Sequence, residues 1–329
     1  MSHIHPVDPL HPAPAILARA ASLLQRGQLV AFPTETVYGL GANALDPGAV
    51  QRIYEAKGRP EYNPLIVHVA DAASAQRLVT VWPDAAERLT QRWWPGPLTI
   101  VLPKAISIPS EVTAGLGTVA LRVPAHPIAL ALLHACGLPL AAPSANRSGQ
   151  ISPTTAEHVA HGLGDQVPMI LDGGPTTVGI ESTVVDLSGL HPVLLRPGMI
   201  SRSALEEVIG PVSLPEESTN PEAPRPSPGM LDRHYAPRAR LILLDAAGRN
   251  PVPLRPADRL GALMRSAPPP TGCTTTITLP DDPDAYARGL YGALHQLDAA
   301  GVTVILVEPP PTVPAWDAIR DRLERAARR

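Results

Sequence analysis

The chain has 329 residues, of which 44% are apolar and 17% charged, with a formal charge of −3. That length suits roughly two domains, the apolar share excludes a disordered chain, and the near-neutral balance gives no bulk attraction to nucleic acid. Aromatics make up only 3%, with a single Phe, so the core is expected to pack from Val, Leu, Ile and Ala. Residues 1–14 are polar and rich in Pro and His; they read as a disordered arm and not as a signal peptide.

Residues 15–26 place Ile16, Leu17, Ala20, Leu23 and Leu24 on one helical face, with Gly27 as the stop. A short buried strand over 28–32 runs into Pro33–Gly41. Asp46 followed by Pro47 signals a helix start, and that helix ends at Lys57-Gly58. Strands are expected at 65–69, 98–102, 119–123, 138–142, 169–171, 183–187 and 193–195. Helices are expected at 72–79, 84–93, 127–135, 154–161 and 202–209. Strands and helices interleave through residues 15–211, which predicts one α/β domain around an open twisted mixed sheet with flanking helices.

Residues 212–238 read as a proline-rich linker; the stretch 211–237 holds seven prolines. Its end, Ser227 to Pro237, is more specific than a spacer requires, with Met230, Arg233, His234 and Tyr235 close together. Residues 239–329 follow as strand 241–244, a weak helix near 257–265, strand 274–278, helix 286–299, strand 302–307 and helix 314–327. This is a small Rossmann-like unit, but it lacks the GxGxxG fingerprint, so nothing supports dinucleotide binding there. Cys136 and Cys273 have no CxxC partner and read as reduced thiols of a cytoplasmic protein. No apolar run approaches the ~18–20 residues of a membrane span.

Five segments carry candidate chemistry. Pro33–Gly41 sets Thr34, Glu35 and Thr36 at a strand exit, where open α/β sheets bind ligands. Lys57-Gly58-Arg59 puts two cations around a glycine, suited to a polyanion or simply to the helix C-terminal dipole. His68 follows in an apolar strand, where a satisfied core histidine is the plainer reading. Thr118 and Arg122 share one strand face, and a buried Arg needs an anion, whether ligand carboxylate or structural partner. Ala142 to Thr154, with Ser144, Asn146, Ser148 and Ser152, follows a buried strand and precedes a helix, a geometry suited to phosphate; Ser152 also suits a helix cap. Around Gly173, Gly179 and Gly198, Ser182 and Arg196 each stand at a strand end. No nucleophile elbow, HExxH or paired-carboxylate pattern appears. This inventory of cations, hydroxyls and amide dipoles stabilises phosphate charge and positions reactants.

In this order, Lys57-Gly58-Arg59, Ser144-Ala145-Asn146, Pro33–Gly41, Leu171–Gly174 and His234-Tyr235-Ala236-Pro237 resemble the YrdC-type threonylcarbamoyl-adenylate synthase family in its long two-domain form. The resemblance implies condensation of L-threonine, bicarbonate or carbon dioxide and ATP to threonylcarbamoyl-adenylate and pyrophosphate. The product would pass to a tRNA threonylcarbamoyl-transferase complex, with weak direct tRNA contact a further expectation. It implies that Thr36, His68, Arg122, Ala142 and Ser182 contact threonine. It implies that Lys57, Arg59, Asn63, Thr118, Ser144, Asn146, Ser152, Arg196 and Tyr235 contact ATP, with Lys57 and Arg59 stabilising charge and the linker serving as a lid. Mg2+ would accompany the triphosphate, held by phosphate oxygens more than by protein side chains. Two other classes remain open on the sequence: an RNA-binding module without catalysis, and a carbamoyl-adenylate enzyme with another acceptor.

Overall fold

Helix Pro47–Lys57 shows how short signals set the frame. Asp46 caps it by accepting from Gly48 N, Pro47 opens it, and Gly58 closes it at φ 58°, a left-handed turn that glycine adopts without Cβ strain. The computed structural model describes residues 3–215, 234–245 and 247–328. Most of the predicted linker, including Ser227–Arg233, lies outside the described residues.

The first sheet contains β1 (Ile4–Pro6), β2 (Val30–Phe32), β3 (Gly39–Asn43), β4 (Ile66–His68) and β5 (Leu98–Pro103). It also contains β6 (Thr118–Arg122), β7 (Leu140–Ala141), β8 (Met169–Asp172), β9 (Thr183–Asp186) and β10 (Val193–Arg196). Its ten strands run in the order β1, β8, β2, β3, β7, β4, β6, β5, β9, β10. Neighbours are parallel at β1/β8, β2/β8, β4/β6 and β5/β9, and antiparallel at β2/β3, β3/β7, β4/β7, β5/β6 and β9/β10. The sheet is therefore mixed, as the irregular strand order predicts.

Three expectations need correction. The arm over 1–14 is not disordered throughout: Ile4–Pro6 adds a strand to β8, Val7 N donates to Asp172 O, and the first helix begins at Pro14. Backbone pairing holds this edge, so side-chain patterning leaves little trace of it. Pro33–Gly41 is not all exit loop, because its last three residues begin β3 and pair with β2. The weak helix near 257–265 is instead strand β12 (Leu260–Met264), buried between two parallel neighbours.

The smaller sheet holds β11 (Arg240–Leu243), β12, β13 (Cys273–Thr278) and β14 (Val304–Val307), ordered β11, β14, β12, β13 and all parallel. Helix Pro283–Ala299 packs directly against the first domain. Gly179 sits beneath it at φ 88°, and a Cβ there would lie 2.4 Å from Ala287 O and the Arg288 Cα. Both the turn and the approach exclude a side chain. One apolar cluster crosses the boundary, joining Val37, Ile151 and Ile180 to Tyr235, Tyr286, Leu290, Tyr291 and Leu294.

Candidate active site

The loop between β2 and β3 and the C-terminal ends of β4 and β6 form one half of the site. Thr34 Oγ1 donates to Val37 O at 2.6 Å and lies 2.8 Å from Thr36 Oγ1, which folds the loop back on itself. Arg122 closes β6 and is buried. It donates to Thr36 Oγ1 at 2.9 Å and to Gly96 O at 3.2 Å, and forms a 2.6 Å ion pair with Glu35. Glu35 in turn accepts from Ala125 N at 3.0 Å. Arg122 thus has a structural counter-ion and still faces the cavity. His68 stands beside Arg122 in register; burial and the Arg122 charge hold its pKa down to about 3. The imidazole is neutral at physiological pH, and its Nδ1 is buried without a hydrogen-bond partner.

The cation segment works differently from its sequence reading. Lys57 Nζ donates to Ser144 O and Asn146 O, each at 2.5 Å, and Ser148 N donates to Lys57 O at 2.8 Å. Lys57 therefore fastens the Ser144–Asn146 loop to its own helix. Burial, with Arg59 nearby, pushes its pKa well below the usual lysine value. Arg59 donates to Asn63 O at 3.0 Å and Pro64 O at 2.8 Å, and burial lowers its pKa to about 10. All four motif cations are buried: Lys57 at 2% exposure, Arg59 at 7%, Arg122 at 4% and Arg196 at 4%.

The other half meets the second domain. Ser182 Oγ lies 2.8 Å from Thr99 Oγ1 and accepts from Arg196 at 3.1 Å. Ser152 does not cap a helix, since Thr155 caps Ala156–Leu163 by accepting from His158 N. Ser152 Oγ instead donates to Glu181 Oε1 at 2.5 Å. Glu181 Oε2 accepts from Tyr291 at 2.9 Å and from Arg322 at 2.8 Å. Burial raises its pKa, but Arg322, Arg196 and the Ser152 hydroxyl outweigh that and hold it at about 2. Tyr235 enters at φ 61°, with Tyr291 at 6.0 Å between ring centroids and the Arg322 guanidinium 4.9 Å over its ring. Ala236 N donates to Gly149 O at 2.9 Å, so the linker's end is stitched to the Ser144–Thr154 segment.

Of the expected residues, Thr36, Arg59, His68, Arg122, Ala142, Ser144, Arg196 and Tyr235 share one cavity of about 40 Å³. Lys57, Asn146, Ser152 and Ser182 support its walls. Asn63 is buried beneath Arg59 with neither amide atom partnered. Thr118 does not reach the cavity: it opens β6, half-buried, at the end away from Arg122. The β4/β6 register pairs Ile66 with Ala120, which continues back to set Thr118 alongside Pro64. A larger cleft of about 640 Å³ lies between the domains, bounded by Arg147, His158, Arg238 and His295; of the expected residues it touches only Asn146. Glu181, Arg322 and Tyr291 were not among the expected site residues. The available signal was Arg322 itself, a cation on the apolar stripe Ile319, Leu323, Ala326 of its helix. Among the described residues no cluster of His, Cys, Asp or Glu is suited to a metal ion, and both site carboxylates are engaged by arginines.

A mixed-sheet α/β domain whose buried cations and hydroxyls converge at strand ends, capped by a linker tyrosine and a small parallel-sheet domain, defines a two-domain α/β protein with a buried polar site. The family model described as telomere recombination, that of Sua5, YciO and YrdC, matches residues 22–198. A second, described as threonylcarbamoyl-AMP synthase, C-terminal domain, matches residues 200–328. The chain belongs to the threonylcarbamoyl-AMP synthase family. It is 45% identical to the threonylcarbamoyl-AMP synthase of Bacillus subtilis, over 94% of this chain and 92% of that one. It is 44% identical to that of Pyrococcus abyssi, over 94% and 93%. The crystal structure of P. abyssi Sua5 complexed with L-threonine superposes with a TM-score of 0.89 at 41% identity, covering 98% of this chain and 97% of that one. The Escherichia coli YciO structure matches at a TM-score of 0.55 and 27% identity, covering 60% of this chain and 96% of its own.

Proposed function

We infer that this chain is a threonylcarbamoyl-AMP synthase. The observation that carries the reading is a concentration of unpartnered buried polar groups: Asn63, His68, Asn146, His234 and Tyr235 each hold a side-chain atom without a hydrogen-bond partner. Buried polar groups are nearly always paired, so their gathering in the motif segments marks a site built for a polar ligand.

The threonine amine takes up bicarbonate or carbon dioxide to give N-carboxy-threonine. The new carboxylate attacks the α-phosphorus of ATP, a P–O bond forms as the bond to pyrophosphate breaks, and threonylcarbamoyl-adenylate remains. No protein nucleophile is needed. Thr36, neutral His68, Arg122, the Ala142 backbone and Ser182 hold threonine, with Arg122 forking its carboxylate. Arg59, Ser144, Asn146, Ser152 and Arg196 face the nucleotide, with Asn63 buried beside Arg59. Lys57 holds the Ser144–Asn146 loop and adds positive charge behind the phosphates. ATP enters as its magnesium complex, the metal being carried by phosphate oxygens.

A cavity of about 40 Å³ has room for little more than a water or two. Admission of ATP therefore requires His234 and Tyr235 to withdraw, so these two residues act as the lid. The adenylate then goes to a transferase complex that modifies tRNA at the adenosine next to the anticodon, in the cytoplasm. Burial of the four motif cations disfavours a plain RNA-binding module, which needs exposed charge along the phosphate backbone. The test is pyrophosphate release from ATP that depends on both threonine and bicarbonate. Purified, folded protein that releases none overturns the reading.

A further inference from the structure

The threonine half and the nucleotide half of the site are wired differently. Thr36, Glu35 and Arg122 bond to one another and to Gly96 and Ala125, all within the first domain. The nucleotide half is tied to the second domain through Tyr291, His295 and Arg322, of which Arg322 makes the most connections. It is fully buried, at 0% exposure, on helix Asp317–Ala327.

Its guanidinium makes three connections into the site. Nε donates to Glu181 Oε2 at 2.8 Å, and the opposite oxygen of that carboxylate accepts from Ser152 at 2.5 Å. Nη2 donates to Pro197 O at 3.1 Å, the residue following Arg196. The planar face covers the Tyr235 ring at 4.9 Å. Asp321 accepts from Nη1 at 2.5 Å and fixes the fork's rotation. We propose that Arg322 is a positioning residue for ATP: it orients Ser152 through Glu181, seats the Arg196 turn and holds Tyr235 closed, while leaving the Thr36, Glu35 and Arg122 contacts untouched. The second domain is on this view a working part of the nucleotide site.

The chemistry argues for arginine in particular. A fork satisfies the carboxylate and the carbonyl with its N–H groups while lying over the aromatic ring, which a lysine point charge cannot do. With Arg322 removed, Glu181 is left with Arg196 as its nearest other cationic neighbour. That pairing draws Arg196 away from the phosphates.

The proposal rests on the synthase reading, and its test separates the two. Arg322→Gln, Arg322→Lys and Tyr291→Phe are assayed for KM toward ATP and threonine. Each is also titrated calorimetrically with a non-hydrolysable ATP analogue and, separately, with threonine. Circular dichroism and melting confirm folding. Expected for Arg322→Gln is a rise of about tenfold or more in ATP KM and analogue Kd, with threonine values within about twofold. Arg322→Lys falls between it and the parent, and Tyr291→Phe gives a smaller loss confined to ATP. Folded Arg322→Gln with unchanged ATP binding, or with ATP and threonine weakened equally, overturns the proposal. If that variant does not fold, Arg322→Lys and Tyr291→Phe decide by the same ATP-against-threonine split. If the parent protein lacks turnover, the synthase reading fails, while selective loss of analogue binding still supports the role of Arg322.

Discussion

Lys57 Nζ lies 2.5 Å from the carbonyl oxygens of both Ser144 and Asn146. The two motifs that stand out most in the sequence are thus joined by direct hydrogen bonds across 87 and 89 residues of chain. Lys57 therefore shapes the Ser144–Asn146 loop.

Replacing Lys57 with Met keeps the stem and deletes the ammonium. Each hydrogen bond from a charged donor is worth roughly 1.5–3 kcal/mol, and the two carbonyls would be left unsatisfied. The expected outcome is a loss of well over tenfold in threonine-dependent pyrophosphate release, with a lower melting temperature. Steady-state kinetics and a thermal melt check both. Wild-type kinetics in the variant would remove Lys57 from the working site.

Arg122 and Glu35 form a buried pair at 2.6 Å. Arg122→Ala strands the Glu35 carboxylate, at a cost of about 3–5 kcal/mol, and removes the fork proposed for the threonine carboxylate. Threonine KM is expected to rise by about tenfold or more. Adding Glu35→Gln should recover most of the stability and none of the threonine affinity. Denaturant melts and threonine titrations on the two singles and the double separate the roles. Recovery of both properties together would show that Arg122 is structural only.

Two buried histidines and one partly buried one make the protein acid-sensitive in a defined direction. Burial holds His68 and His234 at about 3 and His295 at about 4, against an ordinary 6.5. Between those values the unfolded chain binds more protons than the folded one, so stability rises with pH. Acidification below about pH 6.5 should therefore cost stability through each of these histidines, at most on the order of 1 kcal/mol per pH unit. Glu181, held at about 2 against 4.5, adds a loss of the same sign as pH falls through that lower window. Urea midpoints should fall between about pH 7 and about pH 5, and His68→Gln should flatten the slope. A midpoint unchanged over that range would contradict the neutral burial of these rings.

Much of the site was legible because its residues break local rules in their own segments. Arg122 is a charge inside a strand, Lys57 and Arg59 straddle a glycine, and Tyr235 interrupts a proline-rich stretch. Glu181 and Arg322 were not paired from sequence, because Arg322 belongs to a helix with several other charges and its partner is 141 residues away. Strand β12 was missed for a different reason. Leu260, Ala262, Leu263 and Met264 are good helix formers, and a strand buried between two parallel neighbours reads as an unbroken apolar run. Strand β1 left no pattern because three residues held by backbone pairing need no alternation. Thr118 sat on the correct strand face, but sequence spacing could not say which end of β6 meets the cavity.

The order of strands in the larger sheet also has a kinetic consequence. Neither β1 nor β2 has a parallel neighbour until β8 is in place: Ile4 pairs with Ile170, and Val30 with Met169. The sheet cannot zip up from successive hairpins, since this edge closes only after loops of well over a hundred residues have been drawn in. Such closures are costly in chain entropy before any contact rewards them. The Thr36 loop itself closes a local β2/β3 hairpin, so it can form ahead of the edge that flanks it.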